Sequence, residues 1–332
     1  VSSDSIRLSI IVPVHNGAHD LRDCLTALID ECGPDAEIIV VDDASTDETP
    51  SVAARLGTRV LQLSKNSGPA VARNHGADHA RGDVLFFVDA DVIIAPGAVD
   101  RVRKVFAEDS TVAAVFGSYD ATPRAHGVVS RYRNLLHHFV HQNGPAEAST
   151  FWTGCGAIRR TVFHRIGGFN PRSVIEDIEL GHRLHRAGHR ILLDKTLQGT
   201  HLKRWNLRSM VHTDVTRRAI PWARLTLESK ELPATLNLTW DQRLSALLVA
   251  VAGASLLAVG YRPELAAVTV TALAAVLVLN RKLYSFFFQR GGLPFTVACI
   301  ALHLLYYVYS GLSYLFAWLE YRVAGRPAIG QR

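Results

Sequence analysis

Four strand-length apolar runs, alternating with helical patterns, constrain the first 240 residues of this chain more than any other feature. Leu8-Ser-Ile-Ile-Val-Pro-Val14 leads through His15-Asn16-Gly17 into Leu21, Cys24, Leu25, Leu28 and Ile29, which recur at helical spacing. Glu37-Ile-Ile-Val-Val41 runs into Asp42-Asp43-Ala-Ser-Thr-Asp47, where Ser and Asp can cap a helix continuing through Ala53 and Leu56. Val60-Leu-Gln-Leu63 precedes the turn Asn66-Ser-Gly-Pro69 and a helix from Ala70 to Ala80, and Val84-Leu-Phe-Phe-Val88 ends in Asp89-Ala-Asp91. Strands without polar alternation, separated by helices, predict an α/β fold with a Rossmann-like, mostly parallel sheet covered on both faces. Ligands of such sheets bind beyond the carboxyl ends of the strands. His15, Asp42, Asp43, Asp89 and Asp91 are all expected there.

The character of the chain changes near residue 240. From Leu244 to Leu319 almost every residue is apolar, in three hydrophobic segments over 244–261, 264–280 and 293–319. The first and last are long enough to span a bilayer. Leu265 to Asn280 reaches only ~24 Å at 1.5 Å per residue, with Arg262-Pro263 as the turn before it. Three spans put Arg281, Lys282 and Arg290 on the catalytic, cytoplasmic side, as the positive-inside tendency prefers, but send Arg322, Arg326 and Arg332 across. A bend around Gly311 that returns the last segment is the alternative. Tyr306, Tyr307, Tyr309, Tyr314 and Trp318 read as interfacial anchors or a packed face. Leu202 to Leu227 reads as basic helices on the bilayer surface, broken at Pro221. The expected organisation is a catalytic domain over 1–201, an interfacial stretch over 202–240 and a transmembrane region over 241–332.

Charge and cysteine usage narrow the partners. The net charge is +6, with basic residues beside the apolar runs, which suits anionic lipid headgroups and argues against nucleic acid. Four cysteines without a CxxC pair fit a reducing compartment. Residues 1–7 are polar and the first apolar run is short, so no signal peptide is expected and the soluble part should stay in the cytoplasm.

Five pieces stand in one order: Ile11-Val-Pro-Val-His-Asn16, Val40-Val-Asp-Asp-Ala-Ser-Thr-Asp47, Asn66-Ser-Gly-Pro-Ala-Val-Ala-Arg-Asn74, Asp89-Ala-Asp91 and Ile175-Glu-Asp-Ile-Glu179. With them the chain resembles the family 2 glycosyltransferases of GT-A fold over roughly residues 8 to 205. The resemblance implies a nucleotide-diphosphate-sugar donor met by Pro13, His15, Asp42, Asp43, Lys65, Arg73 and Asp89. His15 stands where similar enzymes often carry an aromatic. It also implies Mg²⁺ or Mn²⁺ on Asp91, with Asp89 sharing the ion or reaching the ribose. A hard cation held by carboxylates neutralises the charge of a departing diphosphate. Inverting transfer needs a base, and the resemblance assigns it to Asp177, with Glu176 beside it on the acceptor side.

Other readings of these residues remain open from sequence. Asp43 or Ser45 can simply cap a helix, Arg73 can be a surface residue, and the acidic run at 176–179 can favour a helix N-terminus. Trp152-Thr-Gly-Cys-Gly156 has glycines that permit close ligand approach, which places Trp152 and Gly154 on the acceptor side. His201-Leu-Lys-Arg-Trp205 has the spacing of the Gln-x-x-Arg-Trp motif of related polymer synthases, with His in place of Gln. That change argues against processive synthesis. His201 can complete the metal shell or lie on the surface, Arg204 can meet phosphate and Trp205 an acceptor.

The expected activity is transfer of one sugar to a membrane lipid, a polyprenyl phosphate or a glycolipid, at the cytoplasmic face of a bacterial-type inner membrane. A polysaccharide synthase is the second reading and a silent membrane scaffold the third. The sugar, the nucleotide and the oligomeric state are not expressed in the sequence.

Overall fold

A computed structural model describes residues 6–229 and 239–324. Its elements run, in order, β1 (Leu8–Val14), α1 (Ala18–Glu31), β2 (Ala36–Asp42), α2 (Thr49–Arg55), β3 (Arg59–Gln62), α3 (Pro69–Asp78), β4 (Val84–Val88), β5 (Val92–Ile94), α4 (Ala98–Glu108), β6 (Val112–Tyr119) and α5 (Val128–Asn143). They continue with β7 (Cys155–Arg159), α6 (Arg160–Arg165), α7 (Glu176–Arg186), β8 (Arg190–His201), α8 (Leu207–Asp214), α9 (Ile220–Ser229), α10 (Trp240–Ala258), α11 (Leu265–Leu279) and α12 (Arg281–Ala324). The chain divides into two compact units, one of residues 1–125 and 141–203, the other of residues 126–140 and 204–332.

The first unit is built on one eight-stranded sheet in the order β3-β2-β1-β4-β7-β6-β8-β5. Its first four strands are parallel, as the strand–helix alternation requires. Beyond β4 the sheet becomes mixed: β7 is antiparallel to β4 and β6, and β5 is antiparallel to β8. β6 and β8 pair parallel, so the expectation of a mostly parallel sheet holds throughout the first half and only in part beyond it. β4 is buried along its whole length because both faces are covered: Phe86 joins the cluster containing Ile10, Val12 and Leu25, while Phe87 packs on Phe163 and Phe169. Chain order reverses about β1, with β2 and β3 on one side and β4 on the other, the switch point past whose carboxyl ends ligands of such sheets bind.

The second unit is helical. Asn206 and Ser209 form a reciprocal capping box at the start of α8. The expected break at Pro221 is instead a π-helical turn, Val215–Ala219, just before α9. Proline lacks an N–H and its ring crowds the carbonyl four residues back, so a wider turn ahead of it lets the helical path continue. Arg133 pairs with Asp214 at 2.6 Å, Tyr309 donates to the other Asp214 oxygen at 2.6 Å, and Arg224 forks onto Glu320 at 2.8 and 3.0 Å. One side of the basic stretch is thus occupied by α12.

Trp240–Ala258 and Arg281–Val323 are long and apolar enough to cross a membrane, whereas α11 is shorter. α12 is not one straight rod. Gly292 has φ 70° and breaks it, Pro294 follows, and the two arms fold against each other through Tyr284 to His303 at 3.1 Å and Phe287 against Phe295. Arg131 donates to the Arg290 carbonyl at 2.8 Å, near the break. The helix runs unbroken through Gly311, where a bend was the alternative expectation. Arg326, Arg332 and residues 230–238 of the expected interfacial stretch lie outside the described residues.

Candidate active site

The loops after β1 and β2 are laced to each other. The Asn16 N–H donates to Ser45 Oγ at 2.8 Å, the Thr46 N–H to Asn16 Oδ1 at 2.8 Å, and the Gly17 N–H to Thr49 Oγ1 at 3.0 Å. Asn16 and Ala44 both take positive φ, 51° and 55°, a conformation that non-glycine residues hold only where surrounding bonds impose it. His15 is exposed, and its Nδ1 lies 2.8 Å from the Asp43 carbonyl. Pro13 is half-buried one residue before the end of β1.

Asp42 and Asp43 are buried at 2 % and 4 % exposure. Asp42 Oδ1 accepts from the Ser45 N–H at 3.2 Å, a local turn. Asp43 accepts from the Ser67 and Gly68 N–H groups at 2.7 and 2.8 Å, which fixes the turn leading into α3. The helix cap weighed for Asp43 is therefore replaced by a loop tie 24 residues along the chain. Lys65, in that turn, is exposed.

Arg73 is not a surface residue. It is buried, and its two terminal nitrogens each donate at 2.6 Å, Nη2 to Asp89 Oδ1 and Nη1 to Glu176 Oε1. Burial alone depresses its guanidinium, but the charges of Asp89 and Glu176 outweigh burial and hold it above the ordinary value. Asn74 grips the next segment, donating to the Phe169 carbonyl at 2.8 Å and accepting its N–H at 2.9 Å. α3 thus joins the end of β4 to the start of α7.

Asp177 occupies the first turn of α7, half-buried, with Oδ1 accepting the Ile178 N–H at 2.8 Å. Burial, then the charge of Glu176 and more weakly that of Asp89, push its carboxyl up to about 6, against the pull of Arg73 and the Ile178 N–H. A carboxyl in that range suits proton abstraction near neutral pH. α7 is seated close to the chain at 150–151: a Cβ at Gly181 would lie 2.2 Å from the Phe151 nitrogen. Gly181→Ala is expected to destabilise the fold by ~1–3 kcal/mol, the usual scale of overpacking, because backbone cannot rotate away. Thermal denaturation followed by circular dichroism checks this, and an unchanged midpoint would show that α7 has room to shift.

Asp91 and His201, 110 residues apart, meet because β5 pairs antiparallel with the end of β8, Val92 opposite His201. His201 Nε2 lies 3.5 Å from Asp91 Oδ2, and the Leu202 N–H donates to the Asp91 carbonyl at 2.8 Å. Burial pushes the Asp91 carboxyl up, but the His201 hydrogen bond and the charges of His201 and Lys203 outweigh it and hold it below the ordinary value. His201 is buried and stacks on Tyr119 at 4.3 Å, so it is not the surface histidine of the alternative reading. Tyr119 meets Trp152 edge-on at 4.9 Å. The space at Gly154 is filled by the Trp152 indole, 2.2 Å from where a Cβ would sit, so this glycine accommodates its neighbour's ring where ligand approach was expected.

No group of three or more His, Cys, Asp and Glu side chains able to hold a metal ion occurs among the described residues. Asp91 with His201 offers two donors, and Asp89 gives Oδ1 to Arg73. Two protein donors suit a divalent cation whose remaining positions go to substrate phosphate and water. Arg204 is exposed and Trp205 half-buried; both begin the second unit, where the Trp205 N–H donates to Ser130 Oγ at 2.8 Å. Sequence reasoning missed Tyr119 and the grip of Asn74. For Tyr119 a signal existed, since it closes an apolar run, Val112-Ala-Ala-Val-Phe-Gly-Ser-Tyr119, just as the aspartates close theirs.

Comparison with known proteins follows the same outline. Residues 9–167 match the family model described as Glycosyl transferase family 2. A probable glycosyltransferase of Bacillus subtilis, YdaM, is 27% identical over 201 residues, covering 56% of this chain and 48% of its own. The pre-mycofactocin glycosyltransferase of Mycobacterium tuberculosis H37Rv is 30% identical over 216 residues, covering 61% of this chain and 44% of its own. The matched stretch spans less than half the length of these relatives. The mannosyltransferase PcManGT of Pyrobaculum calidifontis, solved with GDP-Man and Mn²⁺, has a TM-score of 0.60 and 21% identity, covering 94% of this chain and 87% of its own. GalNAc-T7, solved with UDP, GalNAc and Mn²⁺, reaches a TM-score of 0.50 at 17% identity, covering 70% of this chain and 51% of its own. At such identities these structures establish the shared fold.

Proposed function

We propose that this chain, which carries a glycosyltransferase family 2 domain in residues 9–167, transfers a single sugar with inversion from a nucleotide-diphosphate sugar to a membrane lipid. The observation that carries the reading is the convergence at one rim of the sheet: Asp91 with His201, and Asp89 linked through Arg73 to Glu176 and its neighbour Asp177. A donor side and a base side are then adjacent, as in-line displacement at a sugar carbon requires.

On this reading the rim past β1 and β2 takes the nucleoside, with Pro13 and His15 at its edge and Asp42 and Asp43 holding its loops. Asp91 and His201 would hold Mg²⁺ or Mn²⁺, which would supply charge neutralisation to the leaving diphosphate. The two similar structures that contain Mn²⁺ beside nucleotide ligands support this choice. Asp177 accepts the acceptor's proton. Trp152, Tyr119 and Glu176 border the acceptor side, and Arg204 and Trp205 serve the lipid.

The acceptor is assigned to the membrane because α10 and α12 are long and apolar enough to cross a bilayer. Apolar residues of the helical unit also face outward, Leu257 at 85 % exposure among them. A polyprenyl phosphate or a glycolipid fits, presented at the cytoplasmic face of a bacterial-type inner membrane, with residues 1–201 catalytic, 202–240 interfacial and 241–332 in the bilayer.

The test is incubation of the full chain in detergent with a panel of nucleotide sugars, with and without membrane lipids, while nucleotide release is followed. Release that requires both one donor and a lipid is expected. Equal turnover with a water-soluble sugar as acceptor would remove the lipid assignment.

A further inference from the structure

We propose that Arg73 is a positioning residue, one buried guanidinium that sets the spacing and orientation of Asp89 at the end of β4 and of the base-bearing first turn of α7. The inference rests on the glycosyl-transfer reading and goes beyond it, because it takes Arg73 off the nucleotide and gives it to the geometry of the reaction centre. Both terminal nitrogens are engaged at 2.6 Å, one on each carboxyl group. The guanidinium carbon lies 5.7 Å from the Phe169 ring centroid, and Nε is buried without a partner. The side chain is only 5 % exposed, so little of the group faces a base or a ribose arriving from solvent.

The surroundings hold this arrangement from both sides. Asn74 clamps the Phe169 backbone, and Arg183 of α7 donates to the Ile166 and Gly168 carbonyls, both at 2.6 Å. The segment from Ile166 to Phe169 is therefore tied to α3 on one side and to α7 on the other. Within that frame Arg73 selects which carboxylate does what. Glu176 is turned onto the guanidinium and thereby occupied, while Asp177, the next residue, feels its charge but spends Oδ1 on the Ile178 N–H and not on the guanidinium. Asp89 is held by one oxygen, which fixes the backbone that also carries Asp91. A planar fork can serve two carboxyl groups in divergent directions, and a lysine ammonium on a flexible stem cannot hold both in that geometry.

The experiment uses the full chain in detergent with the donor and acceptor that the release assay identifies. Arg73→Lys is expected to lower kcat at least ~10-fold with donor KM within about threefold, the pattern of an interaction that matters only in the transition state. Arg73→Ala should lose more and recover part of kcat when guanidinium, but not ammonium, is added at tens of millimolar. If Arg73→Ala fails to fold, as judged by circular dichroism, Arg73→Lys alone decides. Wild-type kcat in Arg73→Lys would overturn the proposal, and so would a donor KM raised more than ~10-fold at unchanged kcat, which marks a nucleotide contact. A wild-type chain that transfers from no donor would instead overturn the glycosyl-transfer reading, and this inference with it.

Discussion

Asp177→Asn is expected to cut turnover by at least ~100-fold while leaving donor affinity nearly unchanged, the scale of a positioned general base. The substitution keeps the shape of the side chain and the acceptor oxygen for the Ile178 N–H, so the loss reads chemistry and not folding. The same carboxyl predicts the pH profile. Burial and the charge of Glu176 raise it to about 6, and only its ionised form can take a proton. kcat/KM should therefore fall on an acid limb near pH 6, by about tenfold per unit below it, and the limb should vanish in the residual activity of Asp177→Asn. Glu176→Gln should cost less, because Glu176 faces Arg73. A phosphate acceptor arrives already ionised, and the Asp177 effect would then shrink and appear as a raised acceptor KM. Normal kcat and normal acceptor KM in Asp177→Asn would remove it from the site.

Asp91→Asn is expected to leave a folded chain with turnover down at least ~1000-fold, since several kcal/mol of charge stabilisation at the leaving diphosphate depend on the ion that this carboxylate would hold. Chelation should abolish transfer by the wild type, and Mg²⁺ or Mn²⁺ should restore it. His201→Asn should weaken Mn²⁺ binding, measured by titration in the presence of a nucleoside diphosphate, less than Asp91→Asn does. A neutral imidazole contributes one donor without charge, whereas the carboxylate brings both. Full activity of Asp91→Asn, or turnover undiminished by chelator, would exclude this arrangement of the donor side.

Much of the parallel half of the sheet was legible. The runs at 8–14, 37–41, 60–63 and 84–88 have strand length, are apolar but for Ser9, Gln62 and the leading Glu37, and are followed by residues with a donor or acceptor to offer, and the structure puts strands over nearly the same bounds. Asp42 and Asp43 were visible as residues past a strand, but their hydrogen-bond partners were not. Asp43 binds a turn 24 and 25 residues further on, a distance no local pattern expresses. In the helical unit the apolar runs were plain, and the last began beside the break at Gly292, while the alternative bend at Gly311 is absent. Gly292 and Gly311 are alike in composition. Pro294, two residues after the first, was the available sign that the chain bends there.

By itself, the sequence determined which segments become strands and helices in the first half of the catalytic unit, and which carboxylates stand at strand ends. Those features follow from local periodicity and backbone stereochemistry. Tertiary structure alone decided that His201 reaches Asp91, that Arg73 lies buried between Asp89 and Glu176, that Tyr119 and Trp152 wall the same corner, and that Gly154 houses an indole. The first three depend on the register of strands and helices far apart in the chain. Register is settled by the simultaneous burial of many side chains and by the hydrogen-bond partners that buried polar groups must find, not by any residue's immediate neighbours.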